Sequence, residues 1–164
     1  MKHKTPMQRS TKPMKRTTIN PKRRRKADTD ASLNLRAEYR EKNPECEVTK
    51  FLHDIGKLGE GKFDFLRDTR LECDHIWGGT GGRLDLWSML IMVSGGWHDW
   101  KTANFTAGVL LFLVVKYMKG ETNAAEFHQC SGMTLSGWLD LDKTRDACPE
   151  WLEPFRIRLL SSLK

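Results

Sequence analysis

Residues 71–104, "LECDHIWGGTGGRLDLWSMLIMVSGGWHDWKTAN", constrain the fold more than any other part of the chain. The segment "GGTGGR" is too rich in glycine for a helix or strand interior, so it predicts a loop. The short apolar run "LIMV" before "SGG" is typical of a buried strand followed by a turn. The residues before the loop have strand character, and those from His98 onward have helical character. The sequence therefore predicts the order strand, loop, strand, helix.

Helical patterns flank this unit and indicate an α+β protein. Residues 31–43 predict a leading helix that Pro44 stops. We expect residues 46–58 to be irregular or hairpin-like, residues 84–89 to form a helical turn, and residues 62–69 to remain unassigned. Residues 105–120 predict a buried core helix ending at Gly120. Residues 121–164 predict a helical extension, with two short helices around Gly132 and a terminal amphipathic helix broken at Pro154.

Positive charge is concentrated at the N-terminus. Residues 1–26 contain eleven Lys or Arg and no acid, whereas the rest of the chain carries 17 basic and 21 acidic side chains. Residues 1–30 show no hydrophobic period, so we expect a disordered basic arm. Such an arm, with Arg23, Arg24 and Arg25 at its centre, favours sequence-independent contact with nucleic acid. A solubilising tail or a targeting address is the alternative.

Apolar patterning and cysteine usage bear on the compartment. No signal peptide is visible, and the longest apolar run, residues 109–115, is far shorter than the roughly 20 residues of a membrane span. The four cysteines have irregular spacing that does not resemble a disulfide framework. We therefore expect a cytoplasmic protein without membrane contact.

Three side chains in the central segment suggest chemistry on phosphate esters. Asp74 offers a hard oxygen ligand and His98 a nitrogen ligand, so together they could hold one divalent cation. His75 lies beside Asp74, and an imidazole titrates near neutral pH, which suits a general base. Arg83 and Lys101 are candidate phosphate contacts.

With this spacing, residues 36–104 resemble the HNH endonucleases of phages and bacteria. The resemblance implies a ββα-metal core within residues 31–120 and a metal-dependent enzyme that nicks DNA. It assigns His75 as the base, Asp74 and His98 as ligands of Mg²⁺ or Mn²⁺, and a bacterial or phage-infected cell as the setting. The glycines would let the loop approach a nucleic-acid backbone closely.

The chain departs from the family pattern at several positions. Met89 replaces the asparagine that usually braces the loop, and a thioether accepts hydrogen bonds only weakly. Ser88 or Thr80 would have to compensate. Thr102 stands where many members have another histidine ligand. The positions of the two zinc knuckles are 46, 49, 94 and 97, of which only Cys46 is a thiol, so structural zinc is not expected and Trp97 is expected to fill the space.

Two other classes of function remain open on the sequence alone. The chain could be a non-catalytic nucleic-acid-binding protein on a decayed HNH scaffold, which Met89 and Thr102 favour. It could also be a phage accessory protein that binds a partner through residues 121–164. The choice of DNA or RNA and the oligomeric state are open as well.

Overall fold

The structure is a computed structural model that describes residues 30–58, 70–78 and 84–164. The predictions for the basic arm, for residues 62–69 and for most of the glycine loop lie outside the described residues. Helices and a two-stranded antiparallel sheet make up the described part, which confirms the α+β class. The strands are β1 (Leu71–His75) and β2 (Leu90–Ser94). The helices are α1 (Asp30–Lys42), α2 (Glu47–Asp54), α3 (Gly95–Ala103), α4 (Phe105–Met118), α5 (Ala124–Ser131), α6 (Leu135–Leu139), α7 (Asp142–Asp146) and α8 (Glu153–Ser162).

The two strands form a hairpin whose faces meet different helices. Its register pairs Asp74 with Ile91 and His75 with Leu90. Ile91 belongs to the main core, which also contains residues of α2, α3 and α4, whereas Leu90 packs with Tyr39 of α1 in a smaller cluster. Because successive strand residues point to opposite faces, Asp74 faces α3 and His75 faces α1.

Helix α3 begins directly after β2, so the prediction of a turn at residues 94–96 is wrong. Gly95 is the first helical residue, and its N–H donates to the carbonyl of Arg70 at 2.9 Å, beside the start of β1. Two glycines lower helix propensity, but the packing of Trp97 in the core outweighs that local preference. This early start places His98 in the first turn of α3, next to the hairpin.

The prediction of irregular structure at residues 46–58 is also wrong, because α2 occupies most of them. The Cys46 sulfur caps this helix by accepting the N–H of Thr49. Val48, Phe51 and Leu52 recur at helical spacing and are all buried. Helix α2 is an amphipathic helix of only two turns, which is short for its hydrophobic period to be recognised in the sequence.

The remaining helices follow the sequence more closely. The expected buried helix is α4, and Gly120 follows its end with a positive φ of 71°. Helices α5 and α6 flank Gly132 as predicted. Pro154 does not break α8 but lies in its first turn, where the missing N–H costs no helical hydrogen bond. No helix among the described residues is both long and apolar enough to cross a membrane.

Candidate functional site

Asp74 is the centre of the cluster of side chains between β1 and α3. Asp74 is 8% exposed, and both of its carboxylate oxygens accept hydrogen bonds. Oδ1 accepts the backbone N–H of His75 at 2.8 Å, and Oδ2 accepts a hydrogen bond from Lys101 Nζ at 2.7 Å. A carboxylate buried to this degree needs such partners, because leaving it unpaired would be costly.

His98 approaches the same carboxylate from α3. Its Nδ1 lies 3.3 Å from Asp74 Oδ2 and 3.7 Å from Glu72 Oε2. This nitrogen is buried and makes no hydrogen bond in the described structure, although the side chain as a whole is 37% exposed. The ring therefore places an unsatisfied nitrogen near two carboxylates, without the alignment of a hydrogen bond to either, while the side chain is partly exposed.

Lys101, one turn after His98, places a positive charge on Asp74. Its ammonium also donates to the carbonyl oxygen of His75 and lies 5.5 Å from the ring centroid of Phe112. The residue is only 5% exposed. In this conformation, the lysine that the sequence suggested as a phosphate contact is an internal partner of the candidate ligand.

His75 lies on the other face of β1 and is not brought to the Asp74–His98 pair. Its Nε2 is 2.6 Å from Asp85 Oδ1, and the same oxygen accepts the Nε–H of Arg36 in α1 at 2.8 Å. The side chains of His75 and Asp85 are both nearly buried. Sequence reasoning missed Asp85 because it follows the glycine loop at a position that no helical or strand period connects to His75.

The residues at which the sequence departs from the HNH pattern make contacts within the fold. Met89 is 1% exposed and belongs to the main core, and its backbone carbonyl accepts the N–H of Ile76 at 2.8 Å. The Ser88 hydroxyl donates to Glu126 of α5 at 2.5 Å. Thr102 donates to the carbonyl of His98 on the exposed side of α3. Thr80 lies outside the described residues.

The four positions that correspond to the zinc knuckles lie together and are joined by hydrogen bonds. Thr49 Oγ1 donates to Cys46 Sγ at 3.1 Å, and the N–H of Ser94 donates to the same sulfur at 3.3 Å. Trp97 Nε1 donates to Thr49 Oγ1 at 3.2 Å. A polar cluster and the Trp97 ring thus join α2 to the junction of β2 and α3.

The Asp74–His98 pair could offer a divalent cation one carboxylate oxygen and one imidazole nitrogen. Within the described ranges, no three His, Cys, Asp or Glu side chains form a group that could hold a metal ion. One carboxylate oxygen and one unsatisfied imidazole nitrogen, with Glu72 beside them, would leave most coordination positions to water or substrate. A carboxylate oxygen with water ligands suits Mg²⁺ or Mn²⁺, whereas an imidazole nitrogen is also a common zinc ligand.

Several candidate residues cannot be placed relative to this pair. Arg83 and the arm residues Arg23, Arg24 and Arg25 lie outside the described residues. A groove of about 590 Å³ lies elsewhere, between the end of α1, α2 and the end of α4, and its lining does not include Asp74, His75 or His98. The candidate site is therefore a surface-adjacent cluster and not this groove.

No protein-family model, curated protein or solved structure matches this chain. Any functional assignment consequently depends on the site itself and on the resemblance in its motif.

Proposed function

We propose that this protein is a metal-dependent endonuclease that nicks DNA through an HNH-type ββα-metal core. The observation that carries the proposal is the approach of His98 Nδ1 to within 3.3 Å of Asp74 Oδ2, with that nitrogen lacking a hydrogen bond. The two residues come from a β-hairpin and the helix directly after it, which is the order that the resemblance implies.

The cluster at positions 46, 49, 94 and 97 adds independent support. Residues 48 positions apart meet there, at the two points where relatives of the proposed family carry their knuckles. The sequence motif alone does not require this proximity. This proximity is expected if the chain has the backbone arrangement of the proposed family without its structural zinc.

Asp74 and His98 would hold the divalent cation. When bound, this cation would polarise the scissile phosphate and stabilise charge on the leaving oxygen. Asp85 lies against Nε2 of His75 and would hold the orientation of the imidazole. In this mechanism, the resemblance assigns to His75 the withdrawal of a proton from the attacking water, although the described structure holds its nearly buried ring on the face of β1 opposite Asp74. The basic arm with Arg83 would contribute attraction to the DNA backbone.

A second candidate function is non-catalytic DNA binding on the same scaffold. Two specific observations favour it: the imidazole of His75 faces α1, away from Asp74, and the ammonium of Lys101 is bound to the candidate ligand. In that case the arm would supply the affinity and the Asp74 cluster would only stabilise the fold.

Nicking of supercoiled plasmid in Mg²⁺ or Mn²⁺ tests the proposal. We expect the wild type to nick, a chelator to abolish the activity, and His75→Ala and His98→Ala each to reduce it by about 100-fold or more. The control is His53→Ala, because His53 is an exposed histidine outside the site.

Nicking that His75→Ala leaves unchanged would refute the proposed enzyme. A wild type that binds DNA without nicking it in either metal would favour the second candidate.

A further inference from the structure

Lys101 has no assigned part in the proposed reaction, yet its ammonium lies in the most enclosed part of the cluster. It is bound to Asp74 Oδ2 at 2.7 Å and to the backbone carbonyl of His75. The candidate cation would use the same carboxylate oxygen. The ammonium of Lys101 and the cation would therefore need the same position beside Asp74 Oδ2.

The packing between α3 and α4 holds the lysine stem in place. A Cβ added at Gly108 of α4 would lie 2.6 Å from Lys101 Cγ and 2.7 Å from its Cα, so only glycine permits this approach. The stem is thereby confined between α4 and the hairpin. The ammonium itself is held by its hydrogen bonds to Asp74 and to the backbone carbonyl of His75.

Charge interactions are strong at this depth. Asp74 and Lys101 are both more than nine-tenths buried, so water screens the charges poorly. Like charges within about 4 Å repel each other by enough to change an affinity by at least 10-fold. A divalent cation beside Asp74 must overcome this repulsion or displace the ammonium.

We propose that Lys101 is an internal counter-cation that competes with the divalent metal ion for Asp74, and so lowers the metal affinity of the free protein. This inference rests on the proposed function, because it concerns the same site. It implies that metal binding is weak until the ammonium leaves Asp74. Lys101 is thus a positioning residue that regulates metal occupancy.

Mn²⁺ binding to the full chain, measured by titration calorimetry or by electron paramagnetic resonance of free Mn²⁺, tests this inference. We expect Lys101→Met and Lys101→Gln to bind Mn²⁺ at least about 10-fold more tightly than the wild type. Lys101→Gln retains a hydrogen-bond donor for Asp74 and serves if Lys101→Met fails to fold. Lys101→Arg should bind no more tightly than the wild type, because it keeps the charge.

Two controls separate this effect from a general change of charge. Lys143→Met removes a positive charge from an exposed position in α7 and should leave the Mn²⁺ affinity unchanged. Adding His98→Ala to Lys101→Gln should abolish the gain, because the nitrogen ligand is lost. Equal or weaker binding by both neutral variants, or no measurable binding by any form, overturns the inference.

The plasmid assay distinguishes failure of this inference from failure of the proposed function. Tighter Mn²⁺ binding by the neutral variants, together with a wild type that does not nick plasmid, would support the competition and refute the proposed enzyme. Nicking by the wild type with unchanged Mn²⁺ affinity in the variants would refute the competition alone.

Discussion

At the scale of single residues, Asp85 links the candidate base to the leading helix. One of its carboxylate oxygens meets both His75 Nε2 and Arg36 Nε. A carboxylate in this position selects the tautomer of the imidazole and holds its orientation. Helix α1, which directly follows the basic arm in sequence, thereby contributes to the positioning of His75.

Asp85→Asn should reduce kcat for nicking by about 100-fold with little change in KM, because the amide no longer selects the productive tautomer. Steady-state kinetics on plasmid DNA measures both constants. Asp54→Asn, which changes an exposed aspartate of α2, is the matched control. An unchanged kcat in Asp85→Asn would exclude a role for this pair in catalysis.

Met89 is a core residue here, so restoring the family asparagine has a structural cost. The side chain is 1% exposed and packs in the main core. Met89→Asn should lower the free energy of unfolding by about 1–3 kcal/mol, because it buries an amide among apolar groups. Met89→Leu should lower it by less than about 1.5 kcal/mol. Urea unfolding of both variants makes the comparison, and equal stability would show that the site accommodates an amide.

At the scale of secondary-structure elements, the cluster of Cys46, Thr49, Ser94 and Trp97 joins two parts of the fold at the positions that the resemblance aligns with zinc knuckles. Hydrogen bonds to one sulfur join α2 to the end of β2, and Trp97 fills the remaining volume. A tetrahedral zinc site would need a Cys or His ligand at each of these positions, of which only Cys46 is one.

The triple substitution Thr49→Cys, Ser94→Cys and Trp97→Cys should therefore create a site for one zinc ion. We expect tetrahedral Co²⁺ absorption and 1:1 zinc stoichiometry by mass spectrometry, with stability that depends on the metal because the Trp97 packing is lost. Adding Cys46→Ser should remove the tetrahedral spectrum. Absence of metal binding in the triple variant would show that the four positions do not converge as described.

Sequence patterns predicted the elements whose hydrophobic pattern is long or whose ends are marked by glycine or proline. The two strands, α1, α4 and the pair around Gly132 are in this group, as is the proximity of Asp74 to the helix that carries His98. Helix α2 was missed because it is short and its cap is a cysteine, and the start of α3 was missed because Gly95 and Gly96 have low helix propensity.

The residues that bind Asp74 and His75 were harder to predict than Asp74 and His75 themselves. The contact between Lys101 and Asp74 depends on the close approach of α4 at Gly108, and the contact between Asp85 and His75 depends on the path of the chain after the loop. Tertiary packing determines both, and local sequence carries no signal for either.

At the scale of the whole molecule, a buried charged network joins α1, α2, β2 and α4. Lys116 is fully buried, donates to Tyr39 Oη at 2.9 Å and forms an ion pair with Glu121. Glu47 accepts hydrogen bonds from Tyr39 Oη at 2.7 Å and from the N–H of Met92 at 2.6 Å. Burial lowers the pKa of Lys116, because the charged ammonium is desolvated.

Glu121 makes the stability of this network depend on pH. Burial alone would raise the pKa of Glu121, but its hydrogen bond and ion pair with Lys116 outweigh burial, and the net shift is downward from 4.5. A lowered carboxyl pKa stabilises the fold above the unfolded value, and this contribution is lost as the pH falls below about 4.5 through the folded pKa.

Glu121→Gln should lower the free energy of unfolding at neutral pH, because the buried ammonium of Lys116 loses its carboxylate partner, and should flatten the decline below pH 4.5. Thermal unfolding between about pH 3 and pH 7 measures both effects, because carboxyl groups titrate within roughly this range. Glu150→Gln, at an exposed position, is the control. A variant that keeps the acid-dependent decline of the wild type would assign that decline to other carboxylates.

If the protein binds DNA as proposed, the distribution of charge along the sequence predicts which residues contribute to that binding. Positions 1–26 contain eleven basic residues and no acid, whereas the rest of the sequence contains more acids than bases. Replacing Arg23, Arg24 and Arg25 with Gln should weaken binding and reduce the slope of log affinity against log salt by up to about 3. Fluorescence anisotropy over a salt series measures the slope. An unchanged slope would place the phosphate contacts elsewhere.

Diffraction at the manganese absorption edge, from a crystal grown with Mn²⁺ and a DNA duplex, tests the central claim most directly. Our account predicts an anomalous peak about 2 Å from both Asp74 Oδ2 and His98 Nδ1, with the ammonium of Lys101 displaced from the carboxylate. A map with no peak between these two atoms, while Lys101 remains bound to Asp74, would contradict it.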